Sequence, residues 1–412
     1  MRSYLYIFLK YLSYLCLSTL LGCTSLQKVY FASPVDTTTK EIDFQEKRTF
    51  HLKEVGVFAS NDFEGARMND FKKLNDSTAI VVVNPENTPI NQSAYYGFKI
   101  WSGTLRPFYI AFQYPEGYKH RYMPKIKEGK VWSVLDSSRM FIKEGLVNIK
   151  LNLSKEPLIV AAQEIESSVD VRRWYTNLAK DKDYIEVLSA GSSVLGRDVP
   201  VLDIYTGAKK NKKIVVLLTR QHPPEVTGYY AFQSFLETIL TANDLSAKFL
   251  QNHRILAFPI VNPDGVDMGH WRHNAGGVDT NRDWSVYHQP EIAQVTRFIN
   301  KESKKYKGKI ILGLDFHSTY EDVFYTNKTR ETTVLPNFID HWFAGLERNI
   351  PNYTVHEKSS NSTKPVSKGW FLYAHNAVGI TYEIGDATPR KFIQLIGRVS
   401  ATEMMKILVA ND

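Results

Sequence analysis

Cysteine is nearly absent: of 412 residues only Cys16 and Cys23 carry a thiol. Everything after residue 23 therefore has no disulfide, no thiol nucleophile and no cysteine with which to close a four-ligand structural zinc site. Apolar runs of the ~20 residues that a bilayer-spanning helix needs are also missing, which excludes a multi-span membrane protein. No segment recurs at a fixed period, so a solenoid or propeller is excluded as well. Charge of one sign is not in large excess, since 51 Lys and Arg stand against 43 Asp and Glu for a net charge of +8. That excess is diffuse, with only short clusters such as residues 209–213, so nucleic acid is not an expected partner. What the chain does have is apolar material, 43% hydrophobic and 13% aromatic residues, enough for at least one large core. At roughly 100 to 200 residues per domain, two domains are expected.

Both cysteines belong to a targeting pattern. Arg2 and Lys10 flank an apolar stretch over residues 11–22, the length of a secretory core rather than of a mature membrane span. It ends in Leu20-Leu21-Gly22-Cys23, which resembles the lipobox of bacterial lipoproteins, where cleavage before the cysteine accompanies acylation of its sulfur. The resemblance implies a signal peptide over 1–22, lipidation at Cys23, and attachment through that lipid to a membrane of the bacterial cell envelope, facing an extracytoplasmic space. The polar residues 23–49 then read as a tether between lipid and fold.

Residues 50–166 have the two-residue period of strands, in runs at 78–84, 95–101, 107–113, 146–152 and 158–162 separated by Gly, Pro, Asn and Asp. This predicts a β-sandwich domain. Over 170–412 apolar strands at 184–188, 199–205, 214–218, 254–260 and 310–316 alternate with helical patterns such as 291–304, 336–348 and 390–410. That alternation predicts an α/β domain with a mainly parallel sheet flanked by helices, whose ligands sit at the carboxyl ends of strands.

Groups able to do chemistry fall at those ends. His222 and Glu225 follow the strand at 214–218 with a spacing that lets an imidazole and a carboxylate reach one metal ion, and His317 closes the strand at 310–316. Two histidines, a glutamate and a water make a catalytic zinc set with one open position. Taken singly, the pair is also what a surface histidine beside a helix N-terminal glutamate gives, and His317 what a buried, satisfied histidine gives. Glu383 lies inside the apolar run 379–386, where a carboxylate is costly to bury without a partner or a role, and a strand-end salt bridge is the plain alternative. Arg272, Asn281 and Arg282 follow the turn Asn262-Pro-Asp-Gly265. They are donors suited to a carboxylate or a polarised carbonyl, or else solvated loop residues.

Together, and in this order, His222-x-x-Glu225, Asn262-Pro-Asp-Gly265, Trp271-Arg272, Asp279-Thr-Asn281-Arg282, Asp315-Phe-His317-Ser318 and Thr381-Tyr-Glu383 resemble the zinc metallocarboxypeptidases of the carboxypeptidase A type. The β-rich segment before them is similar to the N-terminal domain of the cytosolic carboxypeptidases within that family. The resemblance implies one zinc ion per chain held by His222, Glu225 and His317, and Glu383 as the base that activates the attacking water. It further implies Arg272 as oxyanion stabiliser, Asn281 with Arg282 as the clamp on a substrate's terminal carboxylate, and Asp279 as the partner that orients His222. Lys368 falls at the specificity position, which implies a preference for acidic C-terminal residues. The mobile tyrosine of digestive members has no counterpart over residues 357–367. The expected activity is hydrolysis of the last peptide bond of a substrate with a free carboxylate. Two rival readings use the same features: a metallopeptidase of peptidoglycan stem peptides, and a non-enzymatic lipoprotein whose catalytic domain is a relic.

Overall fold

The computed structural model describes residues 26–411. Its first part is a pair of sheets. One runs in the order Thr49–Leu52, Val57–Ser60, Gly97–Ser102, Leu158–Ala161, Lys125–Glu128, Val131–Val134; the other runs Asp70–Asn75, Thr78–Val82, Arg106–Gln113, Leu146–Leu153, Met140–Lys143. Strand alternation sends every second side chain inward. Phe108, Ile110 and Phe112 with Ile149, Leu151 and Leu153 from one sheet therefore meet Val57, Ala59, Phe98, Ile100 and Val160 from the other in one apolar core. Trp271, more than a hundred residues downstream, is buried in this core too, edge-on to Tyr118 with ring centroids 5.3 Å apart. Burying an aromatic ring of that size contributes on the order of 2–3 kcal/mol, so the loop carrying Trp271 is pinned to the N-terminal sheets.

The second part is an eight-stranded sheet in the order Ile185–Ser192, Asp198–Ile204, His253–Phe258, Lys213–Thr219, Lys309–Thr319, Val378–Gly385, Val323–Thr326, Glu357–Ser359. It is mixed: four neighbouring pairs, including all three among the central strands, are parallel, and three are antiparallel. The physical reason is connection length, because the few residues between Ile185–Ser192 and Asp198–Ile204 allow only a hairpin, whereas parallel neighbours need a crossover. Parallel pairing holds in the four central strands, and their side chains divide between two cores. Val215 and Leu217 face one cluster while Ile214, Val216 and Leu218 face the other. Helices Val226–Ile239, Phe338–Asn349 and Arg390–Ala410 cover the first face; Pro290–Tyr306 and Ser367–His375 cover the second. The carboxyl ends of the central strands are left facing the N-terminal sheets.

The expected tether is, from Leu26 onward, a strap laid against the body. Val29 and Phe31 are buried in the cluster that holds Trp370, and the Val29 amide donates to Ser285 O at 3.2 Å. Thr37 Oγ1 donates to Asp283 Oδ1 at 2.5 Å, the Lys40 amide to Gly276 O at 2.8 Å, and Gln45 Nε2 to Met268 O at 3.0 Å. Two apolar side chains and a series of satisfied polar groups outweigh the chain entropy that a free spacer would keep. The expected signal peptide over 1–22 and the lipidation site Cys23 lie outside the described residues. Among the described residues no helix is long and apolar enough to cross a membrane.

Candidate active site

Strand Lys213–Thr219 ends at Arg220, whose left-handed backbone (φ 57°) turns the chain so that His222-Pro-Pro-Glu225 crosses the carboxyl edge before helix Val226–Ile239 begins. That helix starts hard against the neighbouring strand. A Cβ at Gly228 would lie 2.2 Å from the carbonyl oxygen of His317, and the Gly228 amide donates to Ser318 Oγ at 2.9 Å. Close approach brings three side chains together. His222 Nδ1 lies 2.9 Å from Glu225 Oε1 and 3.2 Å from His317 Nδ1, and His317 Nδ1 lies 2.6 Å from Glu225 Oε2.

The outer nitrogen of each ring is held by a carboxylate. His222 Nε2 meets Asp279 Oδ1 at 2.8 Å, and His317 Nε2 meets Asp315 Oδ2 at 2.8 Å. A carboxylate on Nε2 keeps the proton there and leaves each Nδ1 lone pair pointing inward. Two imidazole lone pairs and a carboxylate converging on one point repel each other unless a cation lies between them. Their ligand atoms all fall within 4.8 Å of one another, and His222, Glu225 and His317 form the metal-capable group found among the described residues. The field points the same way: although burial opposes it, Asp315 and Glu225 raise the His317 pKa well above the ordinary imidazole range. Burial would likewise raise the Glu225 carboxyl, but His222 and His317 hold it well below the ordinary carboxylate range. Nitrogen and oxygen donors with this outer support fit zinc.

Glu383 stands opposite His317 in parallel register. Burial, with the negative charge of Glu225 second, pushes its carboxyl up to about 8, and its buried Oε2 has no hydrogen-bond partner among the described residues. Arg272 Nε donates to Asp279 Oδ2 at 2.7 Å, so one carboxylate orients both His222 and a guanidinium. Asn281 Oδ1 accepts the Ser367 amide at 2.9 Å, which turns Nδ2 toward the cleft, 3.4 Å from His317 Nε2. Arg282 Nη1 donates to Asn281 O at 2.7 Å and sits 3.8 Å from Asp279 Oδ2. Lys368, at the start of helix Ser367–His375, is only 6% exposed, and its ammonium donates to Ser360 O at 2.6 Å and Thr326 O at 3.0 Å. Burial pushes its pKa down to about 8, and no carboxylate is paired with it among the described residues. The expected site residues that lie among the described residues come together, lining a cleft of about 800 Å³ or, for Asp279, standing behind it.

Several groups were not foreseen. Asp315 had a readable signal, because residues two apart on a strand share a face and so place this carboxylate beside His317. Gln221 Nε2 holds it at 2.6 Å, and the Ser367 hydroxyl donates to it as well. Tyr325 lines the cleft, whereas Tyr373 turns away, its hydroxyl on Ser362 O at 3.0 Å. Glu86 had no local signal at all. Fully buried in the N-terminal part, it accepts three consecutive amides, from Trp271 at 2.8 Å, Arg272 at 3.0 Å and His273 at 2.6 Å, and so ties the Arg272 loop to the first pair of sheets.

Comparison with known proteins agrees with this geometry. The family described as zinc carboxypeptidase matches residues 171–400, and the chain belongs to it. An uncharacterised protein of Zymomonas mobilis is 32% identical over 115 residues, which are 27% of this chain and 29% of that protein. Cytosolic carboxypeptidase 6 of Mus musculus is 27% identical over 147 residues, 34% of this chain and 27% of that protein. These matches thus span less than a third of either relative. A metallo-carboxypeptidase of Burkholderia cenocepacia has the same fold, with a TM-score of 0.72 at 14% identity over 86% of this chain and 100% of that one.

Proposed function

We propose that the chain is a zinc-dependent carboxypeptidase that removes C-terminal residues, acidic ones by preference, and that it is lipid-anchored in the bacterial cell envelope, facing an extracytoplasmic space. The observation that carries the reading is the juxtaposition in one cleft of the His222, Glu225 and His317 donors, the Glu383 carboxylate and the Asn281–Arg282 pair. Bound at the donors, zinc supplies Lewis acidity that polarises the scissile carbonyl and acidifies the attacking water. The protein's own residues do the rest. Asn281 Nδ2 and Arg282 hold the terminal carboxylate, and substrates that lack one forgo these charge-assisted hydrogen bonds. Glu383 accepts the proton of the attacking water as the carbon–oxygen bond forms, and gives it to the leaving nitrogen as the carbon–nitrogen bond breaks. Arg272, held by Asp279, faces the charge that develops on the carbonyl oxygen.

Hydrolysis of acetylated peptides, their C-terminal amides and purified muropeptides, followed by mass spectrometry, tests this reading. Release of single residues from the free acids alone supports it; cleavage confined to muropeptides makes the enzyme a cell-wall peptidase. Terminal preference rests on Lys368, a cation already desolvated and held by neutral carbonyls, so pairing with a substrate carboxylate costs little further desolvation. Lys368→Met, which keeps the stem and removes the charge, should lower the kcat/KM ratio of glutamate-ended over leucine-ended peptides by on the order of tenfold or more. An unchanged ratio would place the specificity elsewhere.

The membrane location rests on the Leu20-Leu21-Gly22-Cys23 motif. Cys23→Ser should move the protein from the membrane fraction to soluble or unprocessed material. Fractionation like the parent's would remove the lipid-anchor reading.

A further inference from the structure

We infer that the N-terminal sheets extend the substrate site: a groove between them and the helices Val226–Ile239 and Arg390–Ala410 holds, in extended form, the residues of a polypeptide that precede the bond cut. This rests on the carboxypeptidase reading above. A cavity of about 990 Å³ lies between the two parts of the molecule and shares Arg121 and Tyr320 with the cleft of about 800 Å³, so the two form one trough.

The trough has a direction. Lys368 and Arg282 line the cleft and not the groove, and Asn327 Nδ2 donates to Lys368 O at 2.9 Å beside the first residues of strand Val378–Gly385. That strand then passes Thr381 and Glu383 in the cleft, and the chain continues to Asp386, which lines the groove. Three residues of extended chain cover ~10 Å. A peptide with its terminal residue at Arg282 and Lys368 and its last bond at Glu383 thus enters the groove about three residues upstream. Arg121 marks the junction: Nε and Nη2 both lie 2.9 Å from Asp386 Oδ2, and its guanidinium stacks 4.4 Å over the Tyr320 ring. It is a latch between the two parts of the molecule.

The groove's N-terminal wall is built from the two edge strands Val131–Val134 and Met140–Lys143, each the last strand of its sheet. Edge strands are ordinarily blunted with charge, yet here Val134 is 62% exposed, Ile142 76% and Phe141 39%. Uncovered apolar side chains on strand edges suit an added extended peptide, with backbone hydrogen bonds to the edge and pockets for alternate side chains. The substrate class is then a polypeptide tail with apolar residues at alternate positions from about the fourth before its C-terminus, rather than a dipeptide.

The test compares an N-acetylated decapeptide carrying valines at alternate upstream positions with the N-acetylated dipeptide of the same two terminal residues, so that terminal preference cancels. With the full-length enzyme, kcat/KM should favour the decapeptide by at least tenfold, mainly through KM. Val134→Asp with Ile142→Asp, exposed positions that leave the core untouched, should bring that ratio toward one. A parental ratio near one, or a ratio unchanged in the double variant, overturns the groove. Fluorescence anisotropy of the labelled decapeptide separates this failure from failure of the enzyme reading. Tight binding that the double variant loses, with neither peptide hydrolysed, supports the groove and removes the peptidase assignment.

Discussion

Glu383→Gln is expected to retain its zinc, by metal analysis of the purified protein, while turnover falls by ~10² to ~10⁴-fold. The amide has the shape of the carboxylate but cannot take a proton, so the loss, about 3–5 kcal/mol of barrier, isolates the acid–base role. Zinc retention follows from the geometry, because Asp279 and Asp315 orient His222 and His317 and the Ser318 amide donates to Glu225 Oε2, with no side-chain hydrogen bond from Glu383 to any of the three. The pH profile carries a second signature. Burial and Glu225 push the Glu383 carboxyl up to about 8 in the metal-free chain. A cation at the triad favours the ionised form and shifts the value downward. The acid limb of kcat/KM, which rises as the base loses its proton, should therefore lie below pH 8 and vanish in the glutamine variant. Near-normal turnover with bound zinc would assign the base to another group.

His222→Ala should lose metal and activity together. A catalytic zinc site has three protein ligands, and removing one leaves Glu225 and His317, too few to hold the ion against dilution or a mild chelator. The substitution also leaves Asp279 facing Arg272 and Arg282 without its imidazole. Zinc content well below one per chain with background turnover is the expected outcome, and stoichiometric zinc would place the site elsewhere. Asp315→Asn supplies the graded comparison. It keeps all three ligands but weakens the hold on His317 Nε2, now 2.8 Å from Asp315 Oδ2, and should cost ~10- to 100-fold in metal affinity.

The parts of this site that could be read from the chain are those whose chemistry is local. His222 and Glu225 are three residues apart at the end of an apolar run, and such a run stops where the sheet stops, so the run also tells which edge the pair occupies. His317 and Glu383 each sit at or inside another such run, and parallel pairing puts them opposite one another. Asp315 was within reach of the same reasoning, because strand period alone sets it on the face of His317.

What could not be read was decided by distance along the chain. Glu86 lies 185 residues before Trp271, and no spacing rule connects a glutamate in one pair of sheets to three amides in a later loop. The same holds for Arg121, which meets Asp386 across 265 residues. Residues 23–49 look like a spacer because they are polar, yet two apolar side chains, Val29 and Phe31, are enough to dock the strap once a complementary cleft exists. The pairing sense of the outer strands was equally hidden. A strand buried on both faces has the same composition whether its neighbour runs parallel or antiparallel, so periodicity could establish the strands and their carboxyl-end residues but not the order of the sheet. Hydrophobic period and short spacings are properties of a few consecutive residues, legible wherever they occur. Joining Glu86 to the Arg272 loop, and opening a trough between the N-terminal sheets and the C-terminal helices, depends on which surfaces bury the most apolar area against each other, and that is settled only when the whole chain has folded.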